Sequence, residues 1–243
     1  MRISEGIAIL DLVYPAGDTT MTIHPVVIYD REHTVLIDTG MPGSRDMILK
    51  QMTSEGIDVN ALDTIILTHQ DIDHIGSLPQ FICAGNLEIL AHEEDAPYIE
   101  GIKPLIKVSS ERRETLLSSL TVEDRIQFEQ VFSPSTRPKI SRMIKDSEHL
   151  PYGGGLLVIH TPGHTPGHLS LYHEPSQTLI AGDAMILQGV ELHGPNPKMT
   201  PDLKLATESL SKFAELPVRK VICYHGGLLD SNAEQQIKKL TSR

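Results

Sequence analysis

Residues 68–76 read THQDIDHIG, which places two imidazoles and two carboxylates, His69, Asp71, Asp73 and His74, within six positions. Imidazole and carboxylate together suit zinc, iron or manganese, and no thiolate is placed for a structural zinc site. Three single donors stand at the ends of other apolar runs: His164 after LLVIHTPG, Asp183 after TLIAG and His225 after KVICY. A lone histidine beside a strand is most often a core or surface residue, and His24, His33, His92, His149 and His173 are read that way. Four clustered donors and three more at strand ends favour a metal site instead.

Such donors must be carried to one place by the elements that precede them. The first third is strand-like: GIAILDLVY, MTIHPVVIYD and TVLIDTG are β-branched runs separated by turn residues. After Gly40 the period becomes helical in SRDMILKQMTSEG, with Ser44 as N-cap and Gly56 as the stop. DTIILTH is a short buried strand, SLPQFICAG a short helix capped by Ser77, and LEILAH another strand. From about 93 to 150 the strand pattern gives way to charged, mostly helical sequence broken by Pro134 and Pro138. This stretch is expected to be an insertion that covers the pocket or supports a homodimer. Strands resume with GGGLLVIHTPGH, HLSLYHE and TLIAGD, followed by an irregular stretch, AMILQGVELHGPNPKM. TPDLKLATESLSKFAEL is expected to be a helix with Thr200 as cap and Pro201 at its first position. VRKVICYHGG then reads as a strand and SNAEQQIKKL as a terminal helix. Loops at successive strand ends would present all the donors along one edge of a sheet sandwich.

Composition narrows the classes. The chain has 243 residues, is 40% hydrophobic and carries a formal net charge of -11. That is enough apolar sequence for a sizeable core in one domain over 1–243. The absence of a long basic run argues against nucleic acid as a partner. No stretch has the length of a signal peptide's apolar segment or of a membrane span, so a cytoplasmic protein without a membrane partner is expected. Cys83 and Cys223 are the two cysteines, and both are expected to be reduced.

In order along the chain, THQDIDH, TPGHTPGH, LIAGD and YHGG resemble the motifs of the metallo-β-lactamase superfamily, and LIDTG at 36–40 resembles its early aspartate turn. The resemblance spans essentially the whole chain and is specific for the superfamily, though not for a substrate. It implies an α/β fold, a four-layered αββα sandwich with two divalent metal ions at one edge of the β-layers. Zinc ranks first, then iron or manganese. Carried over by motif, His69 and His164 match ligands of the first ion, and Asp73, His74 and His225 ligands of the second. Asp183 matches the bridging carboxylate and Asp38 the aspartate that supports the site from behind. His168 also lies in TPGHTPGH, matches no ligand, and is expected to hold a structural hydrogen bond.

Asp71 is the departure, because the commonest family pattern is HxHxDH and this chain reads HxDxDH. Asp71 either ligates the first ion, which needs closer backbone approach, or holds a water or a contact behind the ligands. The flavodiiron branch of the superfamily resembles this loop more closely, with a glutamate at that place and iron in the site. The chain is expected to hold the core domain alone. An ionised Asp71 removes a third unit of charge, leaving a hydroxide-bridged pair of ions about neutral and a weaker Lewis acid. It also tilts preference toward iron or manganese.

The reaction implied is hydrolysis, with a metal-bridging hydroxide attacking a carbonyl and Asp73 and Asp183 as the catalytic carboxylates. There is no GxSxG elbow, Walker loop or dinucleotide fingerprint to suggest another chemistry. A lactone, thioester or related small carbonyl compound is the expected substrate, and a di-iron redox module or a phosphodiesterase is the alternative. The stretch after Asp183 is expected to line the pocket, with His193 and Lys198 contacting substrate. Quorum-sensing lactonases of the superfamily carry a tyrosine shortly after the bridging aspartate, where this chain reads AMIL. No glutathione-binding segment resembling that of glyoxalase II is recognisable.

Overall fold

The strand-like runs assemble into two sheets packed face to face. The computed structural model describes residues 1–84, 87–133 and 136–242. A seven-stranded sheet takes, in spatial order, Arg2–Ser4, Ile7–Ile9, Val26–Tyr29, Thr34–Ile37, Leu62–Ile66, Glu88–His92 and Arg142–Ile144. Its pairs are antiparallel as far as Thr34–Ile37 and parallel beyond it. A six-stranded sheet orders His149–Leu150, Leu156–His160, Leu169–His173, Thr178–Gly182, Lys220–Cys223 and Gly227–Leu229. Its one parallel pair is Thr178–Gly182 with Lys220–Cys223.

Side chains alternate between the two faces of each strand, and this alternation separates the core into layers. Ile7, Ile9, Val26, Ile28, Val35 and Ile37 meet Val158, Leu171, Ile180 and Ile222 between the sheets. Ala8, Val27 and Leu36, from the same strands, face the other way, toward Ile48 and Met52 of helix Arg45–Ser54. On the far side Leu179, Ala181, Val221 and Cys223 pack beneath Leu210, Phe213 and Ile237. The result is the αββα sandwich. Slipping a strand by one residue would exchange its two buried faces, so the register of each central strand is tightly held.

Several local expectations are corrected. GIAILDLVY and MTIHPVVIYD each break in two, and Leu12–Ala16 pairs with Thr19–Ile23 as a separate hairpin. Ser44 and Ser77 stand at the N-terminal boundaries of their helices, but neither side chain caps. Ser77 Oγ instead accepts from Ser44 N, and both hydroxyls donate to Met41 O. The cap of the helix Leu203–Ser209 is Asp202, whose carboxylate accepts from Leu205 N, rather than Thr200. The irregular stretch after Asp183 contains a hairpin, Ile186–Gln188 with Glu191–His193.

The helical region is shorter than 93–150, because the strands Arg142–Ile144 and His149–Leu150 fall within it and join different sheets. Arg142 and Met143 are exposed on an edge strand, so no buried alternation marks them in the sequence. The helices Ala96–Ile99, Ser110–Ser119 and Val122–Phe132 therefore form the crossover between two parallel strands of the first sheet. The end of SLPQFICAG at Gly85 and the break at Pro134 lie outside the described residues. Cys223 is buried, Cys83 is exposed, and both are free. Among the described residues no helix is long and apolar enough to cross a membrane.

Candidate metal centre

The site is built where parallel strands end and the chain turns. Asp38 follows the strand Thr34–Ile37 with φ 63°, an uncommon conformation for a residue other than glycine. Its carboxylate accepts from Thr68 N at 2.8 Å and from Thr68 Oγ1 at 2.7 Å, and faces His74 Nδ1 at 2.8 Å. A carboxylate only accepts here, so His74 carries its proton on Nδ1 and turns the lone pair of Nε2 toward the site. Thr68 gives its hydroxyl proton to Asp38 and so accepts from His69 Nδ1 at 3.0 Å, fixing the same tautomer in His69. Asp38 thus orients two imidazoles through one threonine. Thr39 N and Oγ1 donate to His74 O, and Gly76 N donates to Gly40 O, joining the aspartate turn to the short helix Ile72–Ile75.

Two donor groups result. His69, Asp71, His164 and Asp183 have ligand atoms within 4.8 Å of one another, and so do Asp73, His74 and His225. Within the first, His69 Nε2 stands 3.4 Å and His164 Nε2 3.1 Å from Asp71 Oδ2, and His164 Nε2 lies 3.3 Å from Asp183 Oδ2. In the second, His225 Nε2 is 3.3 Å from Asp73 Oδ2. Asp183 reaches this group as well, 3.4 Å from His74 Nε2 and 3.5 Å from His225 Nε2. Ligands about 2.0–2.1 Å from a tetrahedral ion stand roughly 3.3 Å apart, the spacing seen between these donors. His69 Nε2, His74 Nε2 and Asp183 Oδ1 are moreover buried without a hydrogen-bond partner among the described residues. Buried acceptors left unpaired are costly, and a cation on the shared lone pairs would satisfy them. The residues therefore fit divalent ions. All seven predicted donors converge, and Asp71 lies among them rather than behind them.

The field within the site is strong. Burial alone would raise the Asp71 carboxyl, but His69, His164 and Lys107 hold it well below the usual carboxylate range. Burial likewise opposes ionisation of Asp183, and His225 and His74 outweigh it. Burial and then the neighbouring His74 push His69 down to about 4. Against its own burial, His225 is raised to about 10 by Asp183 and Asp73. His168 stays outside both groups: its Nε2 accepts from Asp183 N at 3.0 Å and its Nδ1 donates to Thr161 Oγ1 at 2.8 Å. This is the structural hydrogen bond expected of it.

Other residues of the site were not singled out in the sequence. Lys107 Nζ lies 2.6 Å from Asp71 Oδ2 and 2.6 Å from His164 Nε2. Its only sequence signal is a lone charge inside the apolar run PLIKV. Asp95 is fully buried and accepts from Gln70 N, Thr165 Oγ1 and Gly167 N, tying the first donor loop to the loop of His164. Tyr224 stacks on His74 with ring centroids 3.8 Å apart. After His225, Gly226 has φ 109°, and a Cβ there would meet Leu187 O at 2.0 Å, so the strand Ile186–Gln188 approaches His225 closely only because glycine follows it.

The donors open onto a cavity of about 600 Å³ whose polar lining includes Asp71, Asp73, Asp183, His225 and Lys107. Its apolar wall comes from Met21 and Met41, from Leu105, Val108, Leu120 and Phe128 of the crossover, and from Ile186, Leu187 and Met199 after Asp183. His193 and Lys198 do not line it. His193 borders a separate hollow with Gln236 and Lys239, and Lys198 a smaller one that shares Lys107 and Met199 with the cavity.

Paired imidazole–carboxylate groups at the edge of an αββα sandwich define a metallo-hydrolase architecture. The sequence profile of the metallo-beta-lactamase superfamily matches residues 19–225, and the chain belongs to that superfamily. It is similar to the probable metallo-hydrolase YflN of Bacillus subtilis (strain 168), 31% identical over 227 residues covering 86% of this chain and 81% of that protein. It is also similar to the metallo-beta-lactamase fold-containing protein ST1585 of Sulfurisphaera tokodaii, 28% identical over 223 residues covering 86% and 75% of the two chains. The crystal structure of the metallo-beta-lactamase family protein TTHA1429 from Thermus thermophilus shares the fold, with a TM-score of 0.71 and 24% identity. That match covers 99% of this chain and 80% of the other.

Proposed function

We propose that the protein is a metal-dependent hydrolase of a lactone, thioester or related small carbonyl compound. The observation that carries this reading is the convergence of two donor groups on Asp183 beside a largely apolar cavity. His69, Asp71 and His164 would hold one divalent ion and Asp73, His74 and His225 another, with Asp183 between them and zinc the first choice. Such ions lower the pKa of water and polarise a carbonyl. The chain's own residues do the rest. Asp38 and Thr68 keep the protons of His74 and His69 on Nδ1, away from the site. His168 anchors the backbone of Asp183. Asp73, whose side chain is 23% exposed, can accept a hydrogen bond from an attacking water on the cavity side. The methionine- and leucine-lined wall excludes bulk water and accepts the apolar part of the substrate.

Asp71 favours a second reading, because a carboxylate in place of an imidazole hardens the first donor group toward iron or manganese. A di-iron redox module is that reading. Elemental analysis of protein purified without added metal, followed by ester, lactone, thioester and phosphodiester substrates, separates the two. Turnover of a carbonyl compound, abolished by a chelator and restored by a divalent ion, is expected. Turnover of phosphodiesters alone, or consumption of oxygen or nitric oxide by iron-loaded protein with an electron donor, would overturn the proposal.

A further inference from the structure

Lys107 stands where a metal ligand set would not be expected to hold a cation of its own. Its ammonium is 2.6 Å from Asp71 Oδ2 and 2.6 Å from His164 Nε2, both members of the first donor group. An ammonium only donates, so His164 Nε2 must accept, which places the imidazole proton on Nδ1, where it donates to Thr200 Oγ1 at 3.2 Å. This is the tautomer that metal ligation also needs. An imidazole nitrogen has a single lone pair, however, and His164 Nε2 cannot serve the lysine and an ion together.

The placement of Lys107 is built into the fold. Gln70, fully buried between two donors of the ligand loop, accepts from Ile106 N through Oε1 at 3.0 Å. The backbone next to Lys107 is thereby pinned to the loop that carries His69 and Asp71. The side chains of Lys107 and Asp71 are each 10% exposed, so their attraction is little screened by solvent. Charge agrees with this arrangement. One divalent ion and one ammonium balance the carboxylates Asp71, Asp73 and Asp183, whereas two ions and the ammonium leave an excess of positive charge even with a bridging hydroxide.

We propose that Lys107 is an internal occupant of the first metal position, so that its ammonium and a divalent ion exclude one another there. The resident ion is then the one held by Asp73, His74 and His225, with Asp183. An ion enters the first position only when Lys107 withdraws toward the cavity, which it also lines. Asp71 is the partner this arrangement calls for, since a carboxylate neutralises the charge of the ammonium, whereas a neutral imidazole in its place could only accept a hydrogen bond from it.

The proposal rests on the metal-binding reading above and is tested by stoichiometry rather than turnover. Metal-free protein is titrated with zinc and, separately, with cobalt. Ions per chain are counted by elemental analysis after gel filtration, and affinities are measured by calorimetry. The wild type should take one tight equivalent and a weaker second. In Lys107→Met, and in Lys107→Gln should the first variant fold poorly, the second equivalent should tighten roughly ten- to a hundredfold, the worth of a hydrogen bond between charged groups. Two equivalents of matched affinity in the wild type, or an unchanged second equivalent in folded variants, would overturn the competition while leaving the hydrolase reading intact. Failure of every protein to bind either ion would overturn both.

Discussion

Asp71 sets this site apart, with a carboxylate where the commonest family pattern has an imidazole. Its carboxylate lies between two imidazoles and an ammonium, and their combined field keeps it ionised despite burial. Replacing it with histidine removes one negative charge, takes away the carboxylate that faces Lys107 and adds a softer ligand. Asp71→His should therefore raise the ratio of zinc to manganese bound from an equimolar mixture, measured by elemental analysis. An unchanged ratio in a folded variant would place Asp71 outside the ligand set. The spacing of THQDIDHIG identifies the donors, because four of them fall on one tight turn. Lys107 is absent from any such spacing: it lies 36 residues beyond Asp71 and is brought in by tertiary contacts alone.

Among the elements, a single buried carboxylate ties two donor loops to each other. Asp95, at the start of the helix Ala96–Ile99, bonds the loop of His69 through Gln70 N and the loop of His164 through Thr165 and Gly167. Asp95→Ala would leave buried N–H groups without acceptors. A loss of about 2–4 kcal/mol is expected in urea unfolding, together with weaker metal binding, and a smaller loss for Asp95→Asn, which keeps one acceptor. Stability and metal affinity both equal to wild type in Asp95→Ala would show that the loops are held by packing. The sequence marks Asp95 only as one acid among HEED, since nothing local distinguishes a clamp from a solvated carboxylate.

Across the fold as a unit, the site joins the two sheets. Donors from the first sheet, His69 to His74, meet His164, Asp183 and His225, which follow strands of the second. Ions bound there should stabilise the sandwich by about 2.7 kcal/mol at a free concentration of 100 Kd. A chelator should then lower the melting temperature by roughly 5–10 °C, and added metal should restore it. An unchanged melting curve after verified metal loss would separate the centre from the stability of the fold.

The donor set and the sandwich were both legible along the chain, for a local reason in each case. Short continuous apolar runs mark strands buried on both faces, and the runs before His69, Asp183 and His225 are of that kind. The edge strand Arg142–Ile144 was illegible because its first two residues are exposed, so its pairing with Glu88–His92 is set by the backbone rather than by an apolar pattern. Ser44, Ser77 and Thr200 sit near helix starts, yet tertiary partners took their hydroxyls: Met41 O for the two serines and His164 Nδ1 for the threonine. It took the folded packing of the crossover to bring Lys107 to Asp71 and to wall the cavity with Leu105 and Phe128, because contacts across such sequence separations leave no local period.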